Sequence, residues 1–206
     1  VRNIAMLSLT LLLTACGGSS SSSTSPPVAT TVTTVTTATA STTPLSPASE
    51  PESMTGMLET HNQVRADVAV LPLTWSSTMS SYAQEWATHL ANENGCQMQH
   101  RSAAGMNTLG VGENLFWASP LTSTNSPPTL QAITPTYVAN DWSSEKIDYN
   151  YDTNTCTDGK ICGHYTQIVW KNTTEVGCAM AVCPDKGQIW VCNYNPPGNY
   201  TGQKPY

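Results

Sequence analysis

Apolar residues fall into three regimes along this chain. A ten-residue apolar run, Ile4 to Leu13, follows Arg2, and a stretch from Ser19 to about Ser53 is then almost wholly Ser, Thr, Pro, Ala and Val, with no charge before Glu50. Beyond it, apolar positions recur with helical or strand periods. Met54, Met57, Leu58, His61, Val64 and Val68 mark one face of a first helix. Met79, Tyr82, Ala83, Trp86, Ala87 and Leu90 mark a second, opened by Ser76 or Ser77. Pro135 suits the first turn of a third helix running to about Lys146. Val111–Trp117 alternates as a strand. Glu175–Cys183 and Gln188–Tyr194 read as two more, joined at Pro184-Asp185-Lys186-Gly187, a turn with proline early and glycine late. Gly105–Gly112 and Ser119–Pro128 read as loops, and Trp86, Trp117, Trp142, Trp170 and Trp190 fall on faces expected to be core.

The apolar run is half the length of a spanning helix, which needs about 20 residues. With Arg2 before it and Leu13-Thr14-Ala15-Cys16 after it, the run reads as an export signal over residues 1–15. The Leu-Thr-Ala-Cys sequence resembles a bacterial lipobox, which would make Cys16 a lipidation site and tie the chain to a membrane. An ordinary signal followed by a coincidental cysteine is the alternative. Residues 16–52 lack the apolar period needed to bury a core and read as a tether spanning about 30–35 Å. The remaining 53–206 form one folded domain. A net charge of −6 with 11% charged residues argues against a nucleic-acid partner, which requires a basic face.

Six cysteines remain beyond Cys16, namely Cys96, Cys156, Cys162, Cys178, Cys183 and Cys192. An even number behind an export signal reads as three disulfides outside the cytoplasm, and no C-x-x-C pair supports a zinc site instead. If Val182 faces Gln188 across the hairpin, Cys178 falls opposite Cys192. Cys156 and Cys162 can close a small loop, which leaves Cys96 with Cys183.

Two runs in the C-terminal half carry the most specific signal. Gly163-His164-Tyr165-Thr166-Gln167-Ile168-Val169-Trp170-Lys171-Asn172 lies among the cysteines, and Ile189-Trp190-Val191-Cys192-Asn193-Tyr194-Asn195-Pro196-Pro197-Gly198-Asn199-Tyr200 lies near the end. Together they resemble the two signature motifs of the CAP superfamily, the cysteine-rich secretory, antigen 5 and plant pathogenesis-related proteins, over roughly Ser53 to Tyr206. The resemblance implies an α+β fold, an αβα sandwich with a small antiparallel sheet between helices, and the same order of disulfide pairing in plant members. It further implies two histidines and two glutamates in a central cleft: His100, Glu113, Glu145 and His164.

The residue pattern agrees, because Val138, Trp142 and Glu145 share a helix face and Glu113 alternates with apolar neighbours. Inward carboxylates are costly unless paired, and imidazoles are natural partners. Three roles fit: a weak, regulatory site for Zn²⁺ or Mg²⁺, acid–base chemistry, or two structural His–Glu pairs. No serine, cysteine or threonine nucleophile is identifiable beside a base. The His61-Asn62-Gln63-Val64-Arg65 run resembles the packing motif of the family's first helix, and His89 is expected half-solvated at a helix edge.

In sterol-binding relatives an aromatic loop forms the ligand pocket, and Tyr149 and Tyr151 occupy that place here. The resemblance therefore implies an extracytoplasmic protein binding a small apolar ligand, a sterol or a fatty acid. The alternatives are a metal-dependent hydrolase of peptide or envelope material, and a host-interaction protein acting through its surface or its tail. The ending is similar to the plant pathogenesis-related tail, from which relatives release a peptide corresponding to Pro196–Tyr206.

Overall fold

A hairpin centred on two cysteines organises the domain. In the computed structural model, which describes residues 49–206, β7 (Glu175–Val182) and β8 (Gln188–Asn195) pair with Val182 opposite Gln188 and Cys178 opposite Cys192. The apolar run at Ile4, Cys16 and most of the Ser/Thr/Pro tether lie outside the described residues. Before the hairpin come α1 (Met57–Ala66), β1 (Thr74–Trp75), α2 (Ser77–Asn92) and β2 (Gly112–Ala118). Next are β3 (Leu121–Ser123), β4 (Ser126–Thr129), α3 (Pro135–Ser144), a 3-10 turn (Glu145–Asp148), β5 (Tyr149–Asn150), β6 (Thr155–Cys156) and α4 (Gly163–Ile168). Among the described residues no helix is long and apolar enough to cross a membrane.

The main sheet has the order β1-β7-β8-β2. Strand β8 shows why it must be covered on both faces. Ile189 and Val191 pack with Ala83, Trp86, Ala87 and Leu90 of α2, while Trp190, Cys192 and Tyr194 pack with Met57, Val138, Trp142, Tyr165 and Ile168 of α1, α3 and α4. The result is the expected αβα sandwich. Helix α2 lies against β7 at Gly177, where a Cβ would stand 2.2 Å from the Ser80 amide nitrogen. All three expected disulfides are present: Cys96–Cys183, Cys156–Cys162 and Cys178–Cys192.

Several expectations need correction. The sheet is mixed rather than antiparallel, because β1 joins β7 in parallel. Two residues are too few to show a strand period, and β1 is held by backbone bonds from Thr74 to Thr174 and from Ser76 to Val176. The supposed loop Ser119–Pro128 contains the β3–β4 hairpin, whose residues are all exposed and so leave no buried stripe in the sequence. Trp117 is 42% exposed rather than core. Helix α3 ends at Ser144, two residues early, where the backbone tightens into the 3-10 turn.

The first helix carries the polar interior. Arg65 is completely buried and faces carbonyls rather than a carboxylate. Its guanidinium donates to Leu71 O (2.7 Å), Ile168 O (2.7 Å), Trp170 O (2.9 Å) and Thr173 O (2.9 Å). Burial pushes its pKa down to about 10, so it keeps its charge at neutral pH. Asn62 closes a two-way bond with the backbone of Leu73.

His61, also completely buried, donates from Nδ1 to Met57 O and accepts at Nε2 from the Tyr194 hydroxyl, both at 2.8 Å. Burial lowers its pKa from 6.5 to about 4. Between those values the unfolded chain takes up a proton that the folded one refuses, so the stabilisation is present above about pH 6.5 and lost as the pH falls towards 4. The stability difference between the parent and His61→Gln is expected to shrink by about 2–3 kcal/mol from pH 7 to pH 4.5. Urea unfolding across that range measures it, and a constant difference would contradict the assignment.

Candidate functional site

His164 enters the site through two anchored backbone segments. It lies in the first turn of α4, whose last carbonyl, at Ile168, and that of Trp170 just beyond the helix are held by Arg65. Asn114 on β2 donates to His164 O at 3.1 Å and to the Tyr194 hydroxyl at 3.1 Å, continuing the chain that begins at His61. Glu145 reaches α4 from the end of α3. Its Oε1 accepts from His164 Nδ1 at 2.6 Å, and Oε2 accepts from the backbone amides of His164 (2.9 Å) and Tyr165 (3.2 Å). One carboxylate therefore orients the imidazole and satisfies two amides that the short helix leaves unpaired. The Trp142 ring lies over His164 with centroids 6.0 Å apart. Burial raises the pKa of neighbouring Asp141, against the opposing pull of His164.

The second pair is built from the loop after α2. Glu113 Oε1 accepts from His100 Nδ1 at 2.8 Å and from the Arg101 amide at 2.9 Å. Arg101 fixes this loop. It is buried, donates to Tyr82 O and Met106 O, pairs with Glu85, and stands 3.6 Å over the Tyr82 ring. His100 is about half exposed, whereas the Glu113 side chain is only 7% exposed. The other carboxylate oxygen, Glu113 Oε2, is buried with no hydrogen-bond partner among the described residues.

The four predicted residues thus form two pairs rather than one cluster. His100, Glu113 and His164 line an open cleft of about 220 Å³ together with Asn114, Ile161, Gly163 and Asn199. Glu145 stands behind His164. Because each histidine gives its Nδ1–H to a carboxylate, Nε2 is left as an acceptor or ligand atom in both. Imidazole nitrogen and carboxylate oxygen are ligand types that suit zinc, but here they stand as separate pairs. Among the described residues no group of three or more His, Cys, Asp or Glu side chains is arranged to hold a metal ion.

Tyr149 and Tyr151, the expected ligand-capping pair, go to different places. Tyr149 packs towards Tyr165, and its hydroxyl donates to Asn154 at 2.7 Å. Tyr151 stacks on Tyr206 with centroids 4.5 Å apart, donates to Tyr206 O at 2.5 Å and carries Lys204 Nζ over its ring. The C-terminal segment is further tied by Lys171 N to Pro205 O (2.7 Å). His89 is partly exposed as expected, paired with Glu93 and stacked on Trp86. Arg101 stands in no motif, and Asn114, beside Glu113 in the family segment Gly112–Leu115, carries no role that the segment itself suggests.

This arrangement defines a domain whose site is a pair of carboxylate-oriented histidines across one cleft, on a three-disulfide αβα scaffold. The chain belongs to the Cysteine-rich secretory protein family, CAP, whose profile it matches over residues 58–194. It is 41% identical over 154 residues to pathogenesis-related protein 1C of Nicotiana tabacum, covering 75% of this chain and 81% of that protein. Its fold is similar to that of venom allergen-like protein 4 of Schistosoma mansoni, with TM-score 0.56 and 24% identity over 76% of this chain and 94% of the other. It is also similar to NaASP2, a structure described with Zn²⁺, with TM-score 0.51 and 21% identity over 77% and 90% of the two chains.

Glu145→Ala removes three charge-assisted bonds from a largely buried position. It is expected to cost about 1–3 kcal/mol in chemical denaturation, with Glu145→Gln recovering part. An unchanged stability in both variants would contradict the capping role.

Proposed function

We propose that this is an extracytoplasmic CAP domain that binds a fatty acid in the His100–His164 cleft with the help of a divalent cation, and that it acts by binding rather than turnover. One observation carries the reading: both imidazoles are held at Nδ1 by glutamates, leaving Nε2 of each available. His100 and His164 would hold the ion, with Glu113 and Glu145 fixing the orientation of the rings. Bound there, the cation would supply the counter-charge for a ligand carboxylate. Without it, the Glu113 carboxylate repels an acidic headgroup, so the ion regulates affinity.

Ile161, 66% exposed at the rim of the cleft, offers an apolar contact for the chain. A sterol presents only a hydroxyl to the same groups and gains less from the ion, which favours the fatty acid of the two apolar ligands. Among the described residues no Ser, Thr or Cys side chain lines the cleft, which supports binding over nucleophilic catalysis. The hydrolase alternative draws on the unpartnered Glu113 Oε2 as a base. Lipidation at Cys16, where it occurs, would hold the domain at a membrane from which acyl chains are drawn.

Titration of a fluorescent fatty acid and a fluorescent sterol into the full chain, with and without Zn²⁺ or Mg²⁺, tests the reading. Saturable fatty-acid binding that the ion tightens by about tenfold or more, and that loses this response in His100→Ala/His164→Ala, is the expected result. Equal affinity with and without ion, or ion-dependent turnover of peptide or envelope substrates abolished by the same double substitution, would overturn it.

A further inference from the structure

A second cavity, of about 290 Å³, opens between α4, the Cys156–Cys162 loop and the C-terminal segment. Among the described residues that line it none is Asp, Glu, Lys, Arg or His, so no charged side chain selects a charged ligand there. Its walls combine aromatic rings with amides and hydroxyls, and several of these groups are unspent. Trp170 is 2% exposed, yet its indole N–H has no partner among the described residues. The Tyr200 hydroxyl, the Thr201 hydroxyl and the Gln203 side-chain amide make no hydrogen bonds among the described residues, while Asn199 uses one donor and one acceptor on Gly163 O and Thr166. Trp170 and Tyr200 meet at 6.0 Å between ring centroids, tilted by 52°.

We propose that this cavity is a binding subsite for a neutral saccharide. A sugar ring offers apolar C–H faces and a rim of hydroxyls that both donate and accept. The cavity offers aromatic surfaces for the first and amide and hydroxyl groups of both senses for the second. Its volume is at the low end of ligand cavities, suited to one or two rings at the end of a chain rather than a buried polymer. An acyl chain or sterol placed here would desolvate the exposed Gln203 side-chain amide and Thr201 hydroxyl without pairing them, which is unfavourable.

The segment supplying Tyr200, Thr201 and Gln203 is anchored rather than loose. Asn154 Nδ2 donates to Gln203 O at 3.0 Å, Lys171 N donates to Pro205 O, and Tyr151 clamps Tyr206. The tail thereby becomes a wall of a site, and binding does not draw on the histidine pairs.

The test follows the indole N–H resonance of Trp170 in the full chain while cellotriose, laminaritriose or chitotriose is added, with anionic trigalacturonate and a soluble fatty acid as separate arms. The expected result is a saturable shift with at least one neutral trisaccharide and none with trigalacturonate. That shift should be unaffected by Zn²⁺ or by His100→Ala/His164→Ala. Tyr200→Ala and Gln203→Ala, both at exposed positions, should each weaken binding by roughly tenfold. The proposal is overturned if no neutral trisaccharide shifts the resonance up to its solubility limit, if the two substitutions leave affinity unchanged, or if the fatty acid or trigalacturonate binds there instead.

Discussion

A single buried guanidinium joins most of what gives this domain its shape. Arg65 projects from α1 and satisfies carbonyls at Leu71, Ile168, Trp170 and Thr173, tying the chain entering β1 to the end of α4 and the start of β7. Among the described residues no carboxylate pairs with it, so its stability rests on four hydrogen bonds of good length. Replacing it by an apolar side chain would orphan all four acceptors in the interior, a cost of several times about 1–3 kcal/mol if none could reach water. The arrangement also explains how a helix of only six residues can carry a functional side chain. Helix α4 is held by Arg65 at its C-terminal end and by Glu145 at its start.

The histidine pairs inherit this rigidity. His61, Tyr194 and Asn114 form a chain of hydrogen bonds from the core of α1 to the backbone of His164, and Arg101 does comparable work for His100. The candidate site thus consists of two His–Glu pairs and a larger set of buried polar groups that fix them. The low pKa of His61, caused by burial, keeps that histidine neutral and structural, whereas His100 and His164 reach the cleft.

Much of this was legible in the sequence, for identifiable reasons. The core face of α2 shows because Met79, Tyr82, Ala83, Trp86, Ala87 and Leu90 repeat over about three turns, and all six are buried. The β7–β8 register follows from its turn, and with it the Cys178–Cys192 bridge. Strand β1 was hidden because two residues carry no period, and the β3–β4 hairpin because nothing on it is buried. Helix α4 was masked by its own composition, with Thr166, Ile168 and Val169 reading as strand formers while Glu145 and Arg65 impose a helix through contacts distant in sequence. The division of the four site residues into two pairs depends on side-chain geometry that spacing does not encode, as does the separation of Tyr149 from Tyr151.

Glutamates occupy Nδ1 of His100 and His164, and the proposed cation site rests on the two Nε2 atoms this leaves free. Long-range ¹H–¹⁵N spectra of the imidazoles during a Zn²⁺ titration address this directly. The prediction is that Nδ1 of both residues stays protonated throughout, while both Nε2 resonances move together to a metal-bound position and His61 does not respond. Movement of only one Nε2, binding through Nδ1, or no response from either histidine would contradict it.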